Sequence, residues 1–156
     1  MKRSTQILNN IFSNIPTTVV FCWFMQQLAV WRHTAVNFSL KEYFINFPVG
    51  YLTGLICGFC LPGVVWGIKF AVMCGTKSES TWNRILVNFI ANTVNSTVLL
   101  IVMTIFNVCI LHHRPIAAVI PEMIENYIPV WCVGYLVSYI SVPFCQKLAR
   151  ICTETA

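Results

Sequence analysis

The stretch Ile85–His113, ILVNFIANTVNSTVLLIVMTIFNVCILHH, decides the fold because it contains no charged residue. A helix needs roughly 20 mainly apolar residues to cross a hydrocarbon core of about 30 Å. The strands of an outer-membrane barrel would alternate between apolar and polar residues, whereas residues 97–106 do not alternate. The stretch therefore predicts a transmembrane helix.

Three further stretches, residues 4–31, 43–68 and 126–146, are also free of charge. The chain is 57% hydrophobic and 10% charged, with a mean hydropathy of +0.71, whereas a soluble domain is about 25% charged. Its net charge of +5 comes from only ten Lys and Arg, too few for a nucleic-acid-binding surface. We therefore expect an all-α integral membrane protein, surrounded by lipid, with four transmembrane helices near residues 11–31, 46–68, 87–110 and 126–146.

The distribution of Lys and Arg predicts the orientation, because basic residues concentrate in cytoplasmic loops. Seven of them fall in the amino terminus, the middle loop and the carboxyl tail: Lys2, Arg3, Lys69, Lys77, Arg84, Lys147 and Arg150. The other two loops contain Arg32, Lys41 and Arg114. We expect a multi-pass protein of a bacterial inner membrane with both termini cytoplasmic, its first span acting as a retained signal anchor.

The two halves of the chain share a pattern that predicts an internal repeat, residues 1–76 and 77–156. Pro48 and Pro62 are fourteen residues apart, as are Pro129 and Pro143, and a basic residue follows each later proline by seven positions. Two spans return the chain to its starting side, so the halves would be parallel two-helix repeats related by an axis along the membrane normal.

These features give the chain a resemblance to a bacterial two-span membrane domain of unknown function. In that family a helix, a polar outer loop and a second helix with paired prolines and a basic exit follow one another. Each half of the chain resembles one copy, and the two copies cover nearly the whole sequence. The resemblance implies the topology, but it implies no particular activity.

Glycines recur along the second span at close to every fourth position: Gly50, Gly54, Gly58, Gly63 and Gly67. Small residues at this spacing let another helix approach closely in lipid. We interpret the series as a packing face, either within the chain or against a second copy or a larger membrane complex.

Polar side chains recur on one face of each odd-numbered span. The first stripe consists of Asn10, Asn14, Thr17 and Thr18, continued by Gln26, and the second of Asn88, Asn92, Asn95 and Ser96. An amide in hydrocarbon without a partner costs several kcal/mol. The stripes therefore predict either hydrogen bonds between helices or a solute path lined from both halves.

No Asp, Glu, Lys or Arg lies in the central part of any span. Ion-coupled pumps and proton relays usually place an ionisable residue there, so coupled transport is not expected. Passive permeation and a role without transport both remain open.

Cysteines and histidines supply the alternative of a membrane-edge enzyme or thiol-redox protein. Cys57 and Cys60 have the redox-motif spacing, and His112 and His113 open the longer outer loop, with His33 in the corresponding place of the first half. The eight cysteines are scattered, whereas a zinc site needs clustered ligands. We expect no enzymatic activity, metal or cofactor, and a small permeation-related unit or an accessory subunit of a membrane complex.

Overall fold

The computed structural model describes residues 3–32, 35, 37–78 and 80–154, and within them the fold is all-helical. These residues form five α-helices: α1 (Arg3–Trp31), α2 (Leu40–Cys60), α3 (Gly63–Met73), α4 (Thr81–Ile105) and α5 (Val119–Glu154). A π-helical segment, Phe106–Leu111, extends α4, and a short 3-10 helix, Ile116–Ala118, precedes α5. The prediction of an all-α protein is confirmed.

Three helical segments in the described part are long and apolar enough to cross a membrane: Leu40–Cys60, Thr81–Leu111 and Ile116–Glu154. The shorter α3 is also apolar, whereas α1 carries many polar residues in its first half. Helices of this length and composition indicate a membrane protein.

The second expected helix, residues 46–68, is wrong as a single element, because the chain leaves the helix between α2 and α3. Leu61 is extended, with φ −99° and ψ 124°, and Pro62 is the N-cap of α3. Proline disfavours helical geometry in the residue before it and lacks the N–H that a helix interior needs. By contrast, Pro48, Pro129 and Pro143 lie inside continuous helices.

Serines begin two of the helices. The Ser39 hydroxyl accepts a hydrogen bond from the Glu42 N–H at the start of α2, and the Ser80 hydroxyl accepts one from the Asn83 N–H at the start of α4. Such caps satisfy backbone N–H groups that have no partner within the helix. Ser39 and Ser80 therefore cap the first turns of α2 and α4.

Helices α1 and α5 lie antiparallel and are in contact near both ends of α1. The Thr5 and Thr153 hydroxyl oxygens are 2.9 Å apart at one end, which we call the termini end. At the opposite, distal end, Arg32 Nη1 lies 3.1 Å from Glu125 Oε2. Helix α1 also packs against α2, and α4 packs against α2, α3 and α5.

An apolar core fills the space between these helices. Its side chains are at most 7% exposed and come from α1, α4 and α5: Phe21, Cys22, Leu28, Leu99, Leu100, Met103 and Val130. Large apolar side chains such as Ile128, Ile140 and Phe144 cover the outside of α5 instead, each at least 65% exposed. An apolar exterior around an apolar core is the distribution expected of helices in lipid.

Candidate functional site

The first three glycines of the series face α1. A Cβ atom on Gly50 would lie 3.2 Å from Thr18 Cγ2, and one on Gly54 or Gly58 would meet the amide oxygen of Asn14 or Asn10, respectively. The side chains of the α1 stripe therefore occupy the groove that the missing Cβ atoms leave.

The last two glycines face α4 instead. A Cβ atom on Gly63 would lie 3.4 Å from Ala91 Cα, and one on Gly67 would lie 2.6 Å from the carbonyl oxygen of Val87. The break at Leu61 and Pro62 thus separates glycines that contact α1 from glycines that contact α4. Contact of this face with a second copy stays a prediction.

In the α1 stripe, two asparagines form hydrogen bonds at the groove. Asn10 Nδ2 donates to the Leu55 carbonyl oxygen of α2 at 3.4 Å, and Asn14 Nδ2 donates to Asn10 Oδ1 at 2.8 Å. Thr17 donates to the Ser13 carbonyl oxygen within α1, and Thr18 is 1% exposed. The stripe therefore joins α1 to α2.

In the α4 stripe, the corresponding bonds reach α5. Asn88 Nδ2 donates to the Tyr135 carbonyl oxygen at 3.3 Å, and Asn92 Nδ2 donates to the Trp131 carbonyl oxygen at 3.2 Å. Ser96 donates to Asn92 Oδ1. In the described part of the chain, no hydrogen bond connects the two stripes, because each lies against a different helix.

Asn95 is separated from the rest of its stripe, and this gives a matched pair of variants. Asn92 is buried, whereas Asn95 is exposed. Asn92→Leu is expected to lower the free energy of unfolding by about 0.6–2 kcal/mol, the range for a hydrogen bond between membrane helices. Asn95→Leu is expected to leave it unchanged. Thermal unfolding in detergent micelles measures both, and equal effects would contradict the role assigned to Asn92.

A second polar group, which the sequence analysis did not identify as a unit, lies one helical turn from the core toward the distal end. We call Gln26, Asn46, Thr104 and Asn107 the distal polar layer. Asn46 Nδ2 donates to Asn107 Oδ1 at 3.0 Å, joining α2 to the π-helical segment. Gln26, Asn46 and Thr104 are 8%, 5% and 2% exposed.

The position of the layer follows from the contacts of Gly50. A Cβ atom there would lie 3.5 Å from Cys22 Sγ and 3.6 Å from Met103 Sδ. Gln26 lies four residues from Cys22, Asn46 four from Gly50 and Asn107 four from Met103, in each case on the distal side. The amides of three helical segments are therefore stacked directly on the apolar core.

Three atoms of the layer are buried without a hydrogen-bond partner among the described residues: Gln26 Nε2, Asn46 Oδ1 and Thr104 Oγ1. The other end of the Gln26 amide is used, because its Oε1 accepts from the Ser39 N–H at 3.2 Å. A buried polar atom left unpaired costs about 1–3 kcal/mol. The concentration of three such atoms marks this layer as the candidate site.

Six residues beyond Gln26 along the chain, at what we call the distal rim, an arginine joins the end of α1 to α5. Arg32 Nη1 donates to Asn126 Oδ1 at 2.7 Å and to Glu125 Oε2 at 3.1 Å, while Nη2 donates to the Glu125 carbonyl oxygen at 2.6 Å. Asn126 is 7% exposed. The rim therefore contains a paired charge, and the layer beneath it contains only neutral groups.

The cysteines and histidines of the redox or enzyme alternative lie on different elements where the structure describes them: Cys57 and Cys60 on α2, and His112 and His113 after the π-helical segment. Cys57 is buried and Cys60 is exposed, and all eight cysteines are free. His112 and His113 are exposed, and His33 lies outside the described residues. Within the described part, no group of three His, Cys, Asp or Glu side chains is arranged to hold a metal ion.

Only part of the distal layer had a sequence signal. Gln26 extends the polar stripe of α1, and Asn107 interrupts an otherwise apolar run. Asn46 lies near the start of its span, and the residues three and four positions after it are Val49 and Gly50, so it does not begin a polar stripe. These residues come together only when three helical segments pack against one another. The spacing of residues along the sequence does not show how those segments pack.

No known protein family, curated protein or solved structure matches the chain. The resemblance to a two-span domain therefore stays a prediction.

Proposed function

We propose that the chain crosses the bacterial inner membrane four times, with α2 and α3 together forming one interrupted span. The antiparallel contact of α1 with α5 supports this, because it holds α1 beside an apolar helix from the termini end to the distal end. Five basic side chains near the termini end are exposed: Lys69, Lys77, Arg84, Lys147 and Arg150. Their position favours a cytoplasmic location of both termini.

We also propose that the four spans form a bundle of two duplicated halves. Tyr43 Oη donates to the Val19 carbonyl oxygen, and Tyr127 Oη lies 3.1 Å from Thr97 Oγ1. Val19 and Thr97 are 78 positions apart, as are Asn14 and Asn92 of the two stripes, whereas the tyrosines are 84 apart rather than the 81 of the prolines.

The glycine contacts support the same correspondence. A Cβ atom on Gly50 would meet Thr18, and one on Gly134 would meet Ser96. These glycines are again 84 positions apart, and their partners 78. For the second span of each half, the contacts therefore favour an offset of 84 positions between the two halves. The prolines give an offset of 81 positions, and the difference of three residues is close to one helical turn.

Within this bundle, the function that the geometry supports best is that of a small permeation-related unit without enzymatic activity. The observation that carries it is the set of unpaired polar atoms in the distal polar layer. Polar groups inside membrane helices are costly and mark solute pathways. The π-helical segment that carries Asn107 adds support, because π-bulges occur frequently at functional sites.

Flux through reconstituted liposomes tests the proposal. Stopped-flow light scattering with wild-type protein is expected to show faster entry of small neutral solutes than protein-free liposomes. Asn46→Leu/Asn107→Leu is expected to abolish the added flux while sparing insertion, because removing both partners of a hydrogen bond is nearly neutral for folding.

Asn14→Leu/Asn92→Leu is the matched control, because it removes one amide from each stripe. Loss of flux in this variant alone would place the path along the stripes. A wild-type protein that conducts no solute would contradict permeation and favour the second candidate, an accessory subunit that binds a second copy or a larger membrane complex.

A further inference from the structure

The unpaired atoms of the distal polar layer differ in what they offer a ligand. Gln26 Nε2 carries two N–H donors, Asn46 Oδ1 is an acceptor, and the Thr104 hydroxyl both donates and accepts. All three are fully buried and lack partners among the described residues. Gln26, Asn46 and Thr104 each lie one helical turn on the distal side of a packed residue, namely Cys22, Gly50 and Leu100. A molecule that reached these atoms would satisfy them only by accepting from one group and donating to another.

The charge of the surroundings restricts the ligand further. The layer contains no titratable side chain, and Arg32 at the rim is already paired with Glu125. A bare anion would face the Asn46 oxygen, and a bare cation would face the Gln26 amide protons. Either ion would lose its hydration without gaining an opposite charge, which is costly in a buried site.

The apolar core limits how far a ligand can enter the bundle from the distal end. Leu100 and Met103, directly on the termini side of the layer, are each 1% exposed. The layer is therefore closed on that side in this conformation. A molecule held here is bound at the distal end of the bundle rather than passing through an open pore.

We propose that the distal polar layer is a binding site for a small neutral molecule that both donates and accepts hydrogen bonds, with Gln26, Asn46 and Thr104 as its ligands. This inference rests on the proposed permeation function, for which it names the solute class. Water, urea and glycerol share the required chemistry. The site discriminates against ions because it offers neutral groups of both polarities and no charge.

Flux measurements on two new variants test the solute class. Gln26→Met and Thr104→Val keep the approximate volume. Thr104→Val removes only the unpaired hydroxyl, whereas Gln26→Met removes the unpaired Nε2 and also the acceptor of the Ser39 N–H. We expect each to lower the urea or glycerol permeability about 2- to 10-fold, the equivalent of one hydrogen bond. Asn95→Leu, an exposed position in α4, is the control and is expected to leave permeability unchanged. Unchanged flux in both site variants, with a conducting wild type, would overturn the site and retain permeation.

Nuclear magnetic resonance in micelles tests binding without any flux. With ¹⁵N-glutamine labelling, the Gln26 side-chain amide is expected to show cross-peaks to water protons and, if the site admits larger solutes, to added urea. The site would then stand even if the wild type conducted nothing and the permeation function failed. Water cross-peaks without urea cross-peaks would identify water as the occupant.

Unfolding of Thr104→Val separates an occupied layer from a dry one, because the Thr104 hydroxyl has no partner among the described residues. If a ligand pairs the hydroxyl, Thr104→Val is expected to unfold at lower temperature than the wild type. If the layer is dry, the variant loses an unpaired polar atom and unfolds at higher temperature. A higher unfolding temperature together with absent cross-peaks would overturn the proposal.

Discussion

Gly67→Ala is expected to lower the free energy of unfolding by about 1–3 kcal/mol, the cost of overpacking a close contact. The added methyl group would lie 2.6 Å from the Val87 carbonyl oxygen and 2.9 Å from Val87 Cα. Both atoms belong to the backbone of α4, so a change of side-chain rotamer cannot relieve the overlap. Helix α3 must move away from α4, which weakens packing along their whole contact.

Gly63→Ala is the matched control, since it makes the same change one turn earlier on the same helix. Its methyl group would approach Ala91 Cα only to 3.4 Å, so a loss below about 1 kcal/mol is expected. Thermal unfolding of both variants in the same detergent gives the comparison. The gain in helix propensity from Gly to Ala is common to both positions, so similar losses would mean that the close approach of Gly67 to Val87 does not determine the effect.

Leu100→Ala is the second substitution with a large expected effect, a loss of about 2 kcal/mol or more. Leu100 is 1% exposed and lies in the apolar core. Lipid is as apolar as leucine, so burial from water contributes little inside a membrane. The expected loss comes instead from the cavity and from the dispersion contacts that the deleted atoms no longer make.

Ile140→Ala provides the control for this cavity argument. Ile140 is also apolar and lies on α5, but it is 72% exposed, and lipid or detergent fills the space after truncation. We expect a change of less than about 0.5 kcal/mol, as for a surface substitution. If denaturation in detergent gave equal losses for the two variants, Leu100 would not occupy a closed core.

Much of the helical architecture was predictable because it depends on local composition. The neutral stretch Ile85–His113 forms most of α4 and its π-helical extension. Residues 126–146 lie inside α5. The break in the second span was harder to predict. Pro62 ends a helix while Pro143 does not, although both stand in similar apolar surroundings in the sequence.

The candidate site was less predictable than the helices. The asparagines of both stripes were identified from helical spacing, but their partners are backbone carbonyl oxygens, such as those of Leu55 and Trp131, which leave no trace in a residue pattern. Asn95 shares the spacing of the α4 stripe and is nevertheless exposed. Spacing identifies a face, and only the neighbouring helix determines which residues on that face are buried.

The sequence by itself determined that the protein is helical and suited to a membrane, because long neutral stretches can satisfy their backbone hydrogen bonds in lipid only as helices. The tertiary structure alone decided which helix each glycine contacts and which amides remain unpaired. Asn46 and Asn107 are 61 residues apart in the chain and 3.0 Å apart across the bundle. Such contacts depend on how helices pack, a property of the whole chain rather than of any one stretch.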